Sequence, residues 1–275
     1  NHTLTDEMRA ELVRSTRYVL VRDNTGFDFG GYQDGTAFIR ASFPYERLIY
    51  VNDSVYFFRD GLENLFTRLA TSKADVCTAF ENWEFSYHVQ SFCFSVSRHL
   101  MDTPDVRAFW LNYLPVSSRL WAIHKGEIGL SAAIAPNARS FDVVYTPNSI
   151  RSAVTELAKT DVDLLNTYLP GRIRIPVGSS MNFKVEGEQQ LIERLHCYSQ
   201  IHGAGFLYRK FANSPLMKRD IVWRRDQYSV YDVENCLTVV GHEGHLAEIL
   251  SDMRRKGKGD LQPLFRRALF CEALI

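Results

Sequence analysis

The sequence predicts an α/β fold in which a sheet is flanked by helices. Segments with strand-like and helix-like spacing of apolar residues alternate over the first 150 of its 275 residues, a pattern typical of such folds. Hydrophobic residues make up 45% of the chain and aromatic residues 13%, which is enough apolar surface for a substantial core. Polar and glycine-rich segments follow several apolar runs, at the positions where α/β sheets bind ligands.

The elements are predicted in order along the chain from this spacing. They are a helix over 6–16, a strand over 18–21, a glycine-rich loop over 24–32 leading into a helix around residue 37, a strand over 48–51, a helix over 62–70, strands over 75–80 and 91–96, helices over 106–113 and 131–135, and a strand over 141–145. After residue 150 the pattern becomes helical, with helices over 154–169 and 191–198. We therefore expect a core over residues 1–150 and a mainly helical C-terminal extension over residues 151–275.

Charge and composition exclude several classes of protein. The 32 Lys and Arg residues balance the 32 Asp and Glu residues, so no overall basic field exists to hold a nucleic acid. No apolar run reaches the ~18 residues of a membrane-spanning helix, and no signal peptide opens the chain, which predicts a soluble or peripheral protein. The cysteines are odd in number and lack a CxxC pair, so we expect reduced structural thiols at Cys77, Cys93, Cys197, Cys236 and Cys271.

Two other patterns do not support a site. His242 and His245 flank Glu243-Gly244 with a spacing of three residues, whereas the zinc motif HExxH has four. Ser179-Ser180 lacks the GxSxG context of a hydrolase nucleophile. Neither a zinc site nor a serine hydrolase is expected.

The first candidate site is the segment Arg22-x-Asn24-x-Gly26-x-Asp28-x-Gly30-Gly31, which follows the predicted strand over 18–21. Glycines allow backbone amides to approach a phosphate closely, and Arg and Asn side chains can hydrogen-bond a nucleotide or a sugar. The spacing is not that of the dinucleotide motif GxGxxG. A tight structural turn explains the same residues equally well.

The second candidate site is Asn52-Asp53-Ser54, directly after the apolar run over 48–51. A carboxylate at the end of a buried strand can hold a divalent cation together with a diphosphate, because Mg²⁺ prefers oxygen ligands. An Asx turn that closes the strand is the alternative.

The third candidate site combines His88-Val89-Gln90-Ser91-Phe92 with Arg98 and, about thirty residues later, Glu127. A glutamate at a helix N-terminus stays ionised in the positive end of the helix dipole and could act as a general base on a hydroxyl. A simple capping carboxylate is the alternative. Trp83, Trp110 and Trp121 are candidate platforms for a sugar ring, although aromatic core packing explains such residues as well.

Taken in order, these segments resemble the rhamnan synthesis protein F family. The resemblance rests on four motifs and a weaker fifth segment, namely Val21-Arg22-Asp23-Asn24-Thr25-Gly26-Phe27-Asp28-Phe29-Gly30-Gly31-Tyr32, Tyr50-Val51-Asn52-Asp53-Ser54-Val55, Tyr87-His88-Val89-Gln90-Ser91-Phe92, Glu127-Ile128-Gly129-Leu130-Ser131 and Pro215-Leu216-Met217-Lys218-Arg219. Four motifs in the right order are far more specific than any one of them.

The resemblance implies a GT-A-like mixed sheet and an inverting glycosyltransferase. It implies that L-rhamnose or a related sugar is transferred from a nucleotide-sugar donor, with dTDP-L-rhamnose as the expected donor, to a growing cell-surface polysaccharide or lipid-linked glycan. Catalysis is expected from Glu127 as base and from Asp53, which would hold Mg²⁺ or Mn²⁺. Where the family has D-x-D this chain has Asn52-Asp53-Ser54, so the metal requirement is open.

The resemblance also assigns the remaining site residues. The donor would be bound by Arg22, Asn24, Gly26, Asp28, Asn52 and Ser54, and the acceptor by His88, Gln90, Ser91, Arg98 and Lys218. We expect Asp53 at the end of a central strand in the same cleft as Arg22 and Asn24. Glu127 is expected to face that cleft from a helix N-terminus.

The ends of the chain carry further expectations. Only about 17 residues precede the Arg22 region and position 1 is Asn, so two interpretations are open: the chain is truncated before the first nucleotide-binding strands of a GT-A domain, or its donor pocket is incomplete as given. Flanking domains of a larger chain are candidate partners. The basic segment over 253–270 either contacts a membrane or partner or forms a solvated helix face. The expected location is the cytoplasm, peripheral to the inner face of the bacterial plasma membrane.

Two alternatives to the transferase remain at this point. One is a non-catalytic carbohydrate-binding or scaffolding module that retains a degenerate GT-A sheet. The other is a nucleotidyltransferase, which would release pyrophosphate, or another nucleotide-sugar enzyme that uses the same sheet.

Overall fold

The computed structural model describes residues 5–175, 185–196, 199–222 and 228–255. Its helices are α1 (Asp6–Ser15), α2 (Phe27–Ser42), α3 (Leu62–Thr71), α4 (Arg98–Met101), α5 (Pro104–Asn112), α6 (Arg119–Trp121), α7 (Ile128–Ile134), α8 (Arg151–Thr160), α9 (Val162–Tyr168), α10 (Val185–His196), α11 (Gln200–Ala212), α12 (Val230–Val240) and α13 (Leu246–Arg255). A π-helix (Ala122–Glu127) joins α6 to α7. The strands are β1 (Arg47–Val51), β2 (Val55–Phe57), β3 (Val76–Thr78), β4 (Glu81–Asn82), β5 (His88–Val89), β6 (Cys93–Ser97), β7 (Phe141–Val143) and β8 (Leu216–Lys218).

The chain divides into two compact units that alternate along the sequence. The first unit comprises Asn1–Glu46 and Arg98–Asn137, and the second comprises Arg47–Ser97 and Ala138–Ile275. The predicted division is a different one, because it cuts the chain once, into a core over residues 1–150 and an extension over residues 151–275. It stays a prediction.

The second unit contains a four-stranded mixed sheet in the order β1-β6-β3-β7. β6 pairs antiparallel with both β1 and β3, whereas β3 and β7 run parallel. The predicted α/β class with a mixed sheet between helices is therefore confirmed. The expectation that β1 is a central strand is wrong, because β6 is its only neighbour among the described strands. Which strand becomes an edge depends on pairing between distant segments, which local spacing does not encode.

The core of the second unit joins this sheet to the helical C-terminal part. Leu65 and Leu69 lie four residues apart on α3, and both are fully buried on the side of this helix that faces the sheet. The Phe80 ring lies 5.1 Å from that of Tyr208 on α11 and 5.2 Å from that of Tyr145. Apolar residues at helical spacing on α8, α9, α11, α12 and α13 complete one continuous core. The helical C-terminal part is thus confirmed.

Asp75 ties β3 to the elements on either side of it. Its carboxylate accepts hydrogen bonds from the Arg139 backbone N–H (2.9 Å), the Arg139 guanidinium (3.0 and 3.1 Å) and the Ser97 hydroxyl (3.0 Å). The bonds from the Arg139 side chain hold the pKa of Asp75 well below its usual value, against the opposing effect of burial. The side chain of Asp75 is only 4% exposed, so this carboxylate stabilises the sheet from within.

The regular elements of the first unit, among its described residues, are helices joined by loops, and they pack around Phe29. The Phe29 ring stacks on Trp110 at 6.4 Å and packs against Tyr113 at 5.6 Å. A Cβ added at Gly126 of the π-helix would lie 2.6 Å from the Phe29 ring, so the two segments touch at a residue that has no side chain. This contact brings the first and the fourth sequence motif together.

Residues 18–21 form no strand, contrary to the prediction. Leu20 and Val21 are exposed, and the Tyr18 ring packs on Phe38 and Phe43 at 5.5 and 5.0 Å. A strand requires a neighbouring strand for its backbone hydrogen bonds, and apolar composition alone does not supply one. The segment before Arg22 is therefore not a strand end.

The predicted glycine-rich loop over 24–32 is also corrected, because α2 already begins at Phe27 and contains Gly30 and Gly31. Gly26 precedes the helix with φ 77°, a conformation that favours glycine, and a Cβ on it would lie 2.5 Å from Pro115. At Gly30 a Cβ would meet the Thr25 carbonyl oxygen. These glycines permit close packing at the start of the helix rather than forming an open loop.

Other predicted elements differ mainly in their ends. The helix predicted over 154–169 is two helices, since Asp161 caps α9 by accepting a hydrogen bond from the Leu164 N–H at 2.9 Å. The predicted structural thiols Cys77, Cys93 and Cys236 are free and buried, whereas Cys197 and Cys271 lie outside the described residues. Within the described ranges, no helix is both long and apolar enough to cross a membrane.

Replacing Gly126 by Ala should destabilise the protein by roughly 1–3 kcal/mol, because the new methyl group would overlap the Phe29 ring in a packed core. Gly31→Ala is the matched control: a Cβ added at this position of α2 would meet no atom within 4 Å, so the variant should be neutral or slightly stabilised. Urea unfolding of both variants measures the difference. Equal stability of the two would show that Gly126 is not packed in this way.

Candidate functional site

The segment Asn52-Asp53-Ser54 forms a tight turn between β1 and β2. The side-chain oxygen of Asn52 accepts hydrogen bonds from the Ser54 N–H at 3.0 Å and from the Ser54 hydroxyl at 2.6 Å. The Asn52 N–H donates to the Phe92 carbonyl oxygen at 3.2 Å. The Asx turn, which was the alternative interpretation of this segment, is thus present. It lies beside the segment that carries Gln90 and Ser91.

Lys218 comes to the same turn from a distant part of the chain. β8 pairs antiparallel with β2, with Lys218 opposite Val55. The Lys218 ammonium donates to the Ser54 hydroxyl at 3.0 Å and lies 4.3 Å from the centre of the Phe92 ring. The structure therefore brings together Lys218, Ser54 and the end of the third motif.

Arg219 contacts the turn as well, and sequence reasoning assigned it no role. Its backbone N–H donates to the Ser54 carbonyl oxygen at 3.0 Å, and its guanidinium donates to the Asp53 carbonyl oxygen at 3.2 Å. The Asp53 carboxylate lies 3.7 Å from this guanidinium and is 91% exposed. The only signal in the sequence was the position of Arg219 at the end of the weak fifth segment.

The guanidinium of Arg219 is oriented from behind by Asp252 on α13. Asp252 accepts hydrogen bonds from Arg219 at 2.9 Å and from the Tyr56 hydroxyl at 2.6 Å, and the Tyr56 ring lies 5.4 Å from the guanidinium carbon. Burial would raise the pKa of Asp252, but hydrogen bonds from Tyr56, Arg255 and Arg219 outweigh it and hold that pKa below its usual value. Asp252 thus stays charged and keeps Arg219 in place.

His88, Gln90 and Ser91 are all buried near the β4–β5 hairpin. His88 Nδ1 donates to the Ser86 carbonyl oxygen at 2.8 Å, and His88 Nε2 lies 3.3 Å from the Gln90 amide nitrogen. Because the carbonyl can only accept, the proton of neutral His88 is on Nδ1 and Nε2 accepts from Gln90. These residues shape the base of the hairpin.

The tip of the hairpin exposes aromatic rings. Trp83 is 55% exposed, and its ring lies 4.7 Å from that of Tyr87, which packs edge-on against Phe141. Burial raises the pKa of Glu81 at the start of the hairpin. Of the three tryptophans considered as sugar platforms, Trp110 is buried and Trp121 donates to the Leu114 carbonyl oxygen, so Trp83 is the best placed.

In the first unit, Arg22 is bound within its own motif. Its guanidinium forms an ion pair with Asp34 of α2 and donates to the Thr25 carbonyl oxygen at 2.9 Å. Asn24 is exposed, Gly26 donates its N–H to the Ser117 hydroxyl at 3.2 Å, and Asp28 lies in the first turn of α2. The motif is held together by its own residues at the start of a helix.

Glu127 is not at a helix N-terminus. It is the last residue of the π-helix, and the helical backbone continues through it into α7. The prediction that Glu127 opens a helix is therefore wrong, because the preceding turn is already helical and its Ile123 carbonyl oxygen accepts from the Ile128 N–H. Its side chain is partly exposed, and π-turns of this kind are frequent at functional sites.

Arg98 opens α4 and is half-exposed. It lies 3.5 Å from the Asp102 carboxylate and 5.8 Å from the centre of the Tyr45 ring. Its contacts are thus with its own helix and with a neighbouring aromatic residue.

The predicted site residues divide between the two units. The first unit holds Arg22, Asn24, Gly26, Asp28, Arg98 and Glu127, and the second holds Asn52, Asp53, Ser54, His88, Gln90, Ser91 and Lys218. The expectation that Asp53, Arg22 and Glu127 share one cleft stays a prediction.

The residues around Asp53 do not fit a divalent cation. The Asn52 oxygen is used by its own turn, and the nearest charged neighbour of the Asp53 carboxylate is a guanidinium. Across the part of the chain that the structure describes, no group of three or more His, Cys, Asp or Glu side chains could hold a metal ion. The use of Mg²⁺ or Mn²⁺ stays a prediction from the resemblance, and neither ion has a part in the mechanism that we propose.

Of the two patterns in the C-terminal half for which no site is expected, the histidine pair lies within the described residues. Glu243, between the two histidines, accepts hydrogen bonds from the backbone N–H groups of Arg59 and Asp60 at 2.8 and 2.9 Å, which closes a loop. Ser179-Ser180 and residues 256–270 of the basic segment lie outside the described residues.

The model of the family described as rhamnan synthesis protein F matches residues 1–170, well over half of the chain and all four of its motifs. The chain belongs to the rhamnan synthesis protein F family. The resemblance stated from the motifs is thereby confirmed, and the family connects the chain to the synthesis of a polysaccharide.

A curated relative from Sinorhizobium fredii, named "Uncharacterized protein y4gN", is 25% identical over 175 residues. The alignment covers 62% of this chain and 46% of that protein, so the chain spans less than half the length of its relative. No solved structure matches the chain.

Proposed function

We propose that this member of the rhamnan synthesis protein F family is an inverting glycosyltransferase with a GT-A-like sheet. It transfers a sugar, L-rhamnose in the first instance, from a nucleoside diphosphate donor to a hydroxyl of a growing polysaccharide or lipid-linked glycan. The acceptor oxygen forms a bond to the anomeric carbon as the bond from that carbon to the phosphate oxygen breaks. The electron pair leaves with the diphosphate, and the proton of the hydroxyl passes to a base.

The observation that carries this proposal is the cluster around the Asn52–Ser54 turn. Two family motifs meet there with the segment over 215–219, which lies beyond the residues that the family model matches. A polar turn, two cations and an aromatic ring are in contact at this point. A polar turn at the end of a strand, lined by cations, suits the phosphates of a sugar nucleotide. The donor contacts that the resemblance implies for Arg22 and Asn24 stay predictions.

Glu127 is the candidate base. It is the acidic residue of the fourth motif, and the π-turn that carries it packs against Phe29 of the first motif. A carboxylate can take the proton of an attacking hydroxyl when it lies within hydrogen-bond reach of that hydroxyl.

Sugar transfer is tested directly with the full chain, dTDP-L-rhamnose and a lipid-linked glycan. We expect release of dTDP that depends on the acceptor, together with a product one sugar longer. A parallel assay supplies dTTP and L-rhamnose 1-phosphate, and formation of dTDP-L-rhamnose with release of pyrophosphate there would favour a nucleotidyltransferase instead. Donor and acceptor binding without any product would favour a non-catalytic carbohydrate-binding module.

The exposed hairpin tip is the candidate acceptor surface. Trp83 presents its ring to solvent, and Tyr87 supports it from one side. Sugar rings stack on such exposed aromatic faces through their apolar C–H groups.

Trp83→Ala should therefore raise the KM for the glycan acceptor roughly tenfold, with little change in the KM for the donor, because one aromatic stacking contact is lost. Steady-state kinetics with each substrate varied in turn measures this split. The matched control is Tyr231→Ala on α12, which removes an aromatic ring that is 70% exposed elsewhere. An unchanged acceptor KM for Trp83→Ala would remove the hairpin from the acceptor site.

A further inference from the structure

The cations beside the Asn52–Ser54 turn take part in a built arrangement rather than lying at random on the surface. The β2–β8 ladder positions the backbone of Lys218, and the Arg219 N–H continues it with a bond to the Ser54 carbonyl oxygen. Both side chains then reach the same three-residue turn, Lys218 at the Ser54 hydroxyl and Arg219 at the Asp53 carbonyl oxygen. These two cations are 164 and 166 residues away from the turn in sequence, so the fold alone brings them there.

Each cation is held in one position by its neighbours. The Lys218 ammonium donates to the Ser54 hydroxyl and lies over the Phe92 ring at 4.3 Å, and these two contacts fix the group. The Arg219 guanidinium is oriented by Asp252, whose charge is shared with Tyr56 and Arg255. Binding an anion at preorganised cations avoids the entropy that free side chains would lose.

The surroundings of the turn oppose a metal, because the charged group beside the Asp53 carboxylate is the guanidinium of Arg219. Asp53 is the only carboxylate in the turn, and it lies 3.7 Å from Arg219, beyond hydrogen-bond distance. Because it is 91% exposed, the carboxylate can move aside at little cost. A diphosphate could then take over the guanidinium, which binds phosphate oxygens through two parallel N–H groups.

We propose that Lys218 and Arg219, held against the Asn52–Ser54 turn, bind the diphosphate of a nucleoside diphosphate donor and neutralise it without a divalent cation. This rests on the proposed transfer from a sugar nucleotide and names the groups that receive the leaving diphosphate. Asp53 then orients Arg219 through its backbone carbonyl oxygen, and its carboxylate is not a metal ligand.

The test is calorimetric titration of the full chain with dTDP and with inorganic pyrophosphate, in EDTA and in Mg²⁺. We expect dTDP to bind equally tightly, within about twofold, in both buffers. Lys218→Met should weaken binding of both probes about tenfold or more, because a charge-assisted hydrogen bond to phosphate is lost. The matched control Lys210→Met, at an exposed position in the last turn of α11, should leave binding unchanged.

Asp53→Asn separates the two possible mechanisms. If cations bind the diphosphate, removing the carboxylate leaves dTDP binding unchanged or makes it tighter, because a competing negative charge is gone. Binding that requires Mg²⁺, that is lost in Asp53→Asn, or that is unaffected by Lys218→Met overturns the inference.

The same experiments separate this inference from the proposed function. If the chain binds dTDP as described but transfers no sugar in the presence of an acceptor, the cationic site is supported and the proposed transferase activity is contradicted. If the chain transfers sugar only with Mg²⁺ and with Asp53 intact, the transferase activity is supported and the metal-free cationic site is contradicted.

Discussion

Replacing Glu127 by Gln is expected to lower kcat for sugar transfer about 10²- to 10⁴-fold, with little change in donor affinity. Gln has the shape of Glu but no basic oxygen, so the acceptor hydroxyl loses the group that takes its proton. In an inverting displacement the base approaches from the face opposite the leaving group. The loss should therefore appear in the chemical step rather than in binding of the diphosphate.

The measurement is single-turnover transfer, with dTDP titration as the binding control. Glu156→Gln, at an exposed position on α8, makes the same chemical change elsewhere and should transfer at the parental rate. If Glu127→Gln also transfers at the parental rate, Glu127 is not the base. The non-catalytic binding-module alternative gains support in a separate case, in which the parent protein itself forms no product.

Asp75→Asn is expected to destabilise the protein by about 3 kcal/mol at pH 7, because it breaks a buried charged network. The amide nitrogen of Asn would face groups that donate to the carboxylate, namely the Arg139 N–H groups and the Ser97 hydroxyl. At least one buried donor would lose its acceptor.

The effect of this substitution depends on pH with a defined sign. The pKa of Asp75 is lower in the folded protein than in the unfolded chain, so the charged carboxylate contributes stability above the unfolded pKa of about 3.9. That contribution is lost as the pH falls toward the folded pKa. The difference between the parent and Asp75→Asn should therefore be full at pH 7 and shrink by up to about 1.4 kcal/mol per pH unit below pH 4.

Urea unfolding at pH 7, 5, 4 and 3 measures this dependence. Asp163→Asn, at an exposed position on α9, is the matched control and should follow the parent at each pH within about 0.5 kcal/mol. A difference between the parent and Asp75→Asn that stays constant from pH 7 to pH 3 would contradict the assigned role of the carboxylate.

The sequence alone determined the class of the fold, the family and most elements of the sheet. β1, β3, β6 and β7 were each predicted from short apolar runs, and the observed strands lie within three residues of these predictions. The reason is that strand and helix periods are written into consecutive residues. The motifs were equally local, since each is a run of neighbouring residues.

The sequence could not determine where a locally defined segment would find its partners. The apolar run over 18–21 resembles a strand but has no strand to pair with among the described residues, and its Tyr18 ring packs on α2 instead. The helix that follows begins at Phe27 because Gly26 and Gly30 allow contacts that no other residue would permit. Both outcomes depend on residues that lie far away in sequence or on close packing.

The candidate site shows the same division most clearly. The sequence identified Asn52, Asp53, Ser54 and Lys218, but only the β2–β8 ladder placed Lys218 against Ser54 and made Arg219 a neighbour of Asp53. Pairing across more than 160 residues is selected by the free energy of the whole core, and no local period encodes it. The residue types of the site were therefore determined by the sequence, whereas the cationic surroundings of its carboxylate were decided by the tertiary structure.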